Sequence, residues 1–168
     1  GILTDADFSD AVLDQSDYSE AQLERADFSR AQLSQSQFRG AQLLEAMLAE
    51  AELRGSDFTQ ANLSGAQLSN ANLSGCLLIN VDLSDAVLVG AKISDSLISP
   101  RSIRNASLIG LDLSAFDFTG VMSEEGWASF DASESIMANI ACDGQDLRSL
   151  KFERGHWERA RLKDAILS

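Results

Sequence analysis

Large apolar residues recur at every fifth position of this 168-residue chain, from Leu3 through Phe8, Leu13, Tyr18 and Leu23 to Phe118, twenty-four times without a slip. Two residues earlier stands a small residue, usually Ala or Ser. The units Ala26-Asp27-Phe28-Ser29-Arg30 and Ala61-Asn62-Leu63-Ser64-Gly65 show the rule. A period of five fits neither the 3.6 of an amphipathic helix nor the 2 of a flat strand. It is a repeat, and it predicts a solenoid in which each unit turns one large and one small side chain inward.

The aromatic residues suggest how many units close a coil. Phe8, Tyr18, Phe28, Phe38, Phe58 and Phe118 lie apart by multiples of ten, and the alternate set Leu3, Leu13, Leu23 to Leu113 holds only Leu and Ile. Four units, twenty residues per coil, would put the rings on two opposite walls. Phe8 would then lie under Phe28, and Tyr18, Phe38 and Phe58 would form a second column. At the strand spacing of about 4.8 Å, six coils to Phe118 make a rod about 29 Å long.

These residues resemble the pentapeptide-repeat family, whose unit is Ala-(Asp/Asn)-Leu-X-X. The resemblance covers residues 1–120 and resumes near 135. It implies an all-β fold, a right-handed quadrilateral β-helix with four pentapeptides per coil. A single domain over 1–168 is expected, with regular coils over 1–120, an excursion over 121–134 and final coils over 135–168 in a shifted register.

The breaks in the pattern are specific. Arg101 falls at a small inward position, where an unpaired charge is costly, so a bulge is expected at Ser99-Pro100-Arg101. Leu111 and Phe116 replace small residues, and Phe116 with Phe118 would crowd one wall, so the coil should widen or tilt. The repeat fails over Val121–Glu134 and resumes as Met137, Cys142, Leu147, Phe152 and Trp157. Glu124, Glu125, Trp127 and Asp131 in that excursion are candidate interaction residues, because loops that break a scaffold often carry function.

Outward apolar residues supply the other candidates. Val87, Val89 and Ile109 should share one wall, and Leu77, Ile79 and Leu97 the opposite one. The repeat does not require apolar side chains at these places, and clusters of this kind mark interfaces.

Charge narrows the partner. The formal net charge is −13, which argues against direct nucleic-acid binding through phosphates. Residues 1–20 carry six acids and no base. Asp before the large residue is set by the repeat and can bond nearby backbone, so it is no sign of a catalytic or calcium site. Ser after the large residue should build hydroxyl ladders. His156 is alone and points outward, no nucleophile elbow or phosphate loop occurs, and Cys76 and Cys142 read as buried thiols. No enzyme activity, cofactor or metal is expected, nor a membrane span. The expected function is a rigid protein-interaction scaffold, cytoplasmic and part of a longer chain, with self-association through uncapped coil ends as a further option. The competing expectation, implied by some family members, is an acidic DNA mimic that binds DNA gyrase and modulates quinolone action.

Overall fold

The computed structural model describes residues 1–118, 130–138, 147–148, 150–161, 163–164 and 166. The chain winds as a β-helix whose coils are twenty residues long. Parallel bridges join Ile2 to Gln22, Asp7 to Asp27, Val12 to Gln32 and Asp17 to Gln37, and the same four columns continue upward with few interruptions to Val87–Ser107. Among the described residues only two segments extend to three paired residues, β1 (Leu77–Ile79) and β2 (Leu97–Ser99), which pair in parallel and in register.

The pentapeptide makes this wall because its N–H groups are accounted for one by one. In the unit Ala41–Glu45, Gln42 N–H donates down to Ala21 O at 2.9 Å, while Leu43 and Glu45 donate up to Asn62 O and Ser64 O, both at 2.8 Å. Ala46 N–H then closes the turn on Leu43 O at 3.0 Å. One amide per unit, that of the fourth residue, has no place in the ladder. Where the second residue is Asp or Asn, its carboxylate or amide oxygen accepts that amide: Ser29 N–H to Asp27, Thr59 to Asp57, Ser64 to Asn62 and Ser84 to Asp82, at 2.8 to 3.0 Å. The Asp/Asn preference is therefore a local cap on an otherwise unpaired donor.

The fifth residue of each unit turns the corner with positive φ. Asp10, Glu20, Arg30, Glu50 and Gln60 all lie at φ 57° to 63°. Positive φ at the third residue of a turn is the signature of type II geometry. Pro100 cannot adopt it, because its ring fixes φ near −65°. The expected bulge is there. Pro100 is buried, Arg101 is exposed, and Arg101 N–H donates to Val81 O at 2.8 Å. The Arg101 guanidinium lies 3.5 Å from Asp82.

The core is a set of ladders. Phe8 stacks on Phe28 at 4.8 Å, Tyr18 on Phe38 at 5.1 Å and Phe38 on Phe58 at 4.7 Å, which are the two predicted columns. Leu23, Leu43, Leu63 and Leu83 form an all-leucine column and are fully buried. Ser36, Ser56, Cys76 and Ser96 occupy a column of small positions. Each sends its hydroxyl or thiol to a carbonyl one coil below: Leu13, Leu33, Leu53 and Leu73. Burial pushes the Cys76 thiol up to about 12, so it stays protonated and inert. Cys142 lies outside the described residues. The predicted serine ladders are sparse: Ser94 bonds Ser74 at 3.1 Å, whereas Ser9, Ser74 and Ser114 turn their hydroxyls to the Asp or Asn two residues before.

Above Ile109 the regularity changes. A 3-10 turn, Leu113–Ala115, capped by the Asp112 carboxylate, replaces a wall unit. Phe116 then pairs with Ile98, an offset of eighteen. Phe116 and Phe118 are both buried and stack at 5.2 Å, so the crowding is relieved by reshaping the coil. Bridges beyond join Ser107 to Asp131 and Asp112 to Ile136, an offset of twenty-four. Corners move to Glu134, Arg154, Arg159 and Asp164. Phe130 is fully buried and Asp131 pairs on both sides, with Ser107 and with Lys151. The ladder thus reclaims residues 130–134, which the sequence pattern assigned to the excursion.

Candidate protein-binding face

Outward positions on a regular solenoid are set by the backbone ladder, so a side chain there is placed without help from packing. On the β1–β2 wall this brings Leu77 directly beneath Leu97, with Ile79 beneath Ser99. Leu97 is 59 % exposed and Ile79 40 %, and Leu77 is half-buried. An open recess of about 330 Å³ lies beside them, lined by Ile79, Leu97, Ile98, Ser99 and Asp117. Asp57 pairs with Leu77 from the coil below. It is itself mostly buried, 3.2 Å from the Arg39 guanidinium. The apolar wall is thus bordered by two acids, Asp57 with its Arg39 partner and Asp117 at the recess.

Val87 lies in a different bridge column, between Gln67 and Ser107. Val89 is 38 % exposed, and Val87 and Ile109 are half-buried. Met47, exposed at 41 %, stands in the column of Val87 two coils below, and Leu44 and Ile136 are also exposed. None of these three was singled out from the sequence. The signal was available for Met47 and Ile136, because each is an apolar residue in an outward slot usually held by Asp, Asn or Gln. Asp131 is half-buried, and its carboxylate accepts the Ser133 amide at 3.0 Å, the same cap seen in the regular units. Glu124, Glu125 and Trp127 lie outside the described residues.

The acids of the first coil are partly spoken for. Arg25 grips Asp5 through two bonds of 2.7 and 2.8 Å, and Arg30 grips Asp10 at 2.7 and 2.6 Å, each pair one coil apart. These hydrogen bonds hold both carboxyls below their ordinary range. Among the described residues no cluster of His, Cys, Asp or Glu could hold a metal, and no helix is long and apolar enough to cross a membrane.

A family profile for pentapeptide repeats matches eight copies over residues 6–43, 26–65 and 66–98, more than half of the chain. The chain belongs to the pentapeptide-repeat family. It is similar to a solved pentapeptide-repeat protein of the Arabidopsis thaliana thylakoid lumen, at 35 % identity and a TM-score of 0.50, over 58 % of this chain and 64 % of that one. The match thus spans less than two thirds of the Arabidopsis protein. HetL, a pentapeptide-repeat protein involved in heterocyst differentiation regulation in the cyanobacterium Nostoc, matches at 27 % identity over 98 % of this chain and 80 % of its own, with a TM-score of 0.39. Full-length QnrB1, a plasmid-mediated fluoroquinolone resistance protein, matches at 19 % identity over 94 % and 81 %, with a TM-score of 0.27. No curated protein matches the chain significantly. The family's right-handed β-helix solenoid is the fold of this pentapeptide-repeat chain.

Proposed function

We propose that this pentapeptide-repeat chain is a rigid, non-enzymatic scaffold that binds a protein partner through the wall of Leu77, Ile79 and Leu97. The observation that carries the reading is the register of β1 on β2, which stacks apolar side chains in adjacent outward slots beside a recess. The slot of Leu77 and Leu97 is most often held by Asp, Asn or Gln and that of Ile79 by Ser or Thr, and two apolar residues in successive coils of one wall are not what the fold alone needs. The four bridge columns per coil support a quadrilateral section with the Val87, Val89 and Ile109 wall on the opposite side. The continuous pairing through Asp131 and Lys151 supports one solenoid domain interrupted between its regular and final coils.

An apolar wall binds with little salt dependence, whereas electrostatic mimicry of DNA is screened by salt. The test is capture of partners by the wild-type chain and by an Ile79→Asp, Leu97→Asp double variant, at low and high salt. A partner retained at high salt and lost on the variant supports the wall. A partner held equally by both overturns it. Salt-sensitive binding to DNA gyrase, with altered supercoiling or fluoroquinolone protection, would put the acidic-mimic reading first. The ion pairing of Asp5 and Asp10 weighs against that outcome, because it removes charge from the most acidic coil.

A further inference from the structure

Between residues 90–95 and 110–114 the ladder opens. Every regular coil bonds the coil above through the N–H groups of its third and fifth residues and the C=O of its first. By that rule Gly90, Ile93 and Asp95 should donate upward, and Ala91 O should accept from Asp112 N–H. None of these bonds forms, and no bridge joins Lys92 to Asp112. Among the described residues, no backbone amide donates to the carbonyls of Ile109 and Asp112, which would face them. An open cavity of about 510 Å³ occupies the gap, lined by Gly90, Ala91, Ile93, Gly110, Leu111 and Asp112 among others. The corner glycines report the same parting. A β-carbon built on Gly75 would meet the Gly55 backbone, and one on Gly90 would meet Asn70, each one coil below; one on Gly110 meets nothing within 4 Å.

Both lips are firmly held on their far sides. Below, Leu73 N–H donates to Lys92 O at 2.8 Å and Lys92 N–H to Ala71 O at 2.9 Å. Above, Gly110 N–H donates to Ser133 O at 3.0 Å and Ile136 N–H to Leu111 O at 2.9 Å. The slot is also closed at its two ends, by Leu88 N–H to Ser107 O and by Asp117 N–H to Ile98 O. It coincides with a local change in the chain. Leu111 stands in a slot that Ala holds in most regular units, and the 3-10 turn Leu113–Ala115 follows it.

We propose that this slot is a binding site for an extended peptide segment of a partner protein, inserted as a strand between the two coils. Two parallel strand edges face each other with complementary donors and acceptors, which a middle strand parallel to both satisfies at once. That is strand addition on two sides. A strand of five residues is about 17 Å long and takes one strand spacing of about 4.8 Å, so a volume of about 510 Å³ leaves it a depth of about 6 Å. That depth takes a backbone and small side chains. Gly110 at the upper lip, where a β-carbon would meet nothing within 4 Å, lets the incoming backbone approach closely. The buried floor of Ala91, Ile93 and Leu111 favours Ala, Ser or Gly inward, and the exposed Asp95 and Asp112 at the mouth favour a neutral or basic segment. The inference deepens the scaffold reading, on which it rests, but its site is separate from the β1–β2 wall.

The test is amide exchange by NMR on the full chain, then titration with two probes. These are acetyl-Gln-Ala-Asn-Leu-Ser-Gly-amide, copied from residues 60–65, and its Leu-to-Ala analogue. Alone, the amides of Gly90, Ile93, Asp95 and Asp112 should exchange at least about tenfold faster than those of Asn70, Leu73, Gly75 and Lys92 one coil below. A probe near 1 mM should protect the same four amides by about tenfold, and a backbone N-methylated version should not. Equal protection in the two coils without peptide means the ladder is closed and overturns the inference. So does failure of both peptides to protect any of the four. The wall variant Ile79→Asp, Leu97→Asp should leave this titration unchanged, so a failed wall and a failed slot are told apart.

Discussion

Phe38 sits at the centre of the longer aromatic column, and Phe38→Ala asks whether the coils stack as described. The ring is fully buried. It lies 5.1 Å from Tyr18 and 4.7 Å from Phe58, nearly parallel to both, and meets Phe28 edge-on at 6.0 Å. Truncation removes the burial of a whole aromatic side chain and leaves a void that a hydrogen-bonded ladder above and below cannot collapse. The expected cost is about 3 to 5 kcal/mol, in a domain whose total stability is about 5 to 15 kcal/mol. For a chain of this size that lowers Tm by about 6 to 20 °C. Phe38→Leu should cost only about 1 kcal/mol, because the neighbouring column is built of leucine and the coil already accommodates it. Urea unfolding followed by circular dichroism, with m compared between variants, gives both values. If Phe38→Ala costs under about 1 kcal/mol, or no more than Phe38→Leu, the ring is not clamped between coils and the twenty-residue register is wrong.

Three further outcomes follow from the same geometry. In a Cys142→Ser background, Cys76 should resist a thiol reagent at pH 8 and react fully in denaturant, since burial raises its thiol to about 12; rapid native labelling would contradict its placement. Asp5 and Asp10 are held below the ordinary value of 3.8 by Arg25 and Arg30, and Asp7 and Asp17 by Ser9 and Ser19. Depressed folded values favour the fold above the ordinary value and lose that contribution as pH falls through the lowered ones. Thermal melts between about pH 5 and pH 2 should therefore fall less steeply for Asp5→Asn, Asp10→Asn than for wild type; an unchanged slope would count against the pairs. Gly55→Ala should cost about 1 kcal/mol, because φ is +68° and only Gln35 lies near, at 3.7 Å. Gln60→Gly should be neutral or slightly stabilising by the same melts.

The regular part of this fold was legible because period five admits one solution. The spacing of Phe8, Tyr18, Phe28, Phe38 and Phe58 contained the coil length, and Asp5 and Arg25, twenty apart, contained their own pairing. The bulge was legible at Arg101 through the cost of burying its charge, although Pro100 taking the inward place was not. The slot was only half visible. Leu111 and Phe116 flagged a disturbed coil, but which rungs break depends on where the 3-10 turn begins, and that is a tertiary compromise around two phenylalanines. The interaction residues divide likewise. Leu77 and Leu97 could be placed together from their spacing, and Met47 and Ile136 obeyed the same logic without being singled out.

Site-specific photo-crosslinking most directly tests whether the β1–β2 wall binds protein. A photoreactive residue at Leu97, with a matched control at the exposed Gln22, would be introduced into the full chain and activated in extract of the native source at low and high salt. The account predicts one discrete protein adduct at position 97, persistent at high salt, absent at position 22 and abolished by Ile79→Asp. Equal adducts at both positions, or an adduct at 97 that Ile79→Asp leaves intact, would contradict it.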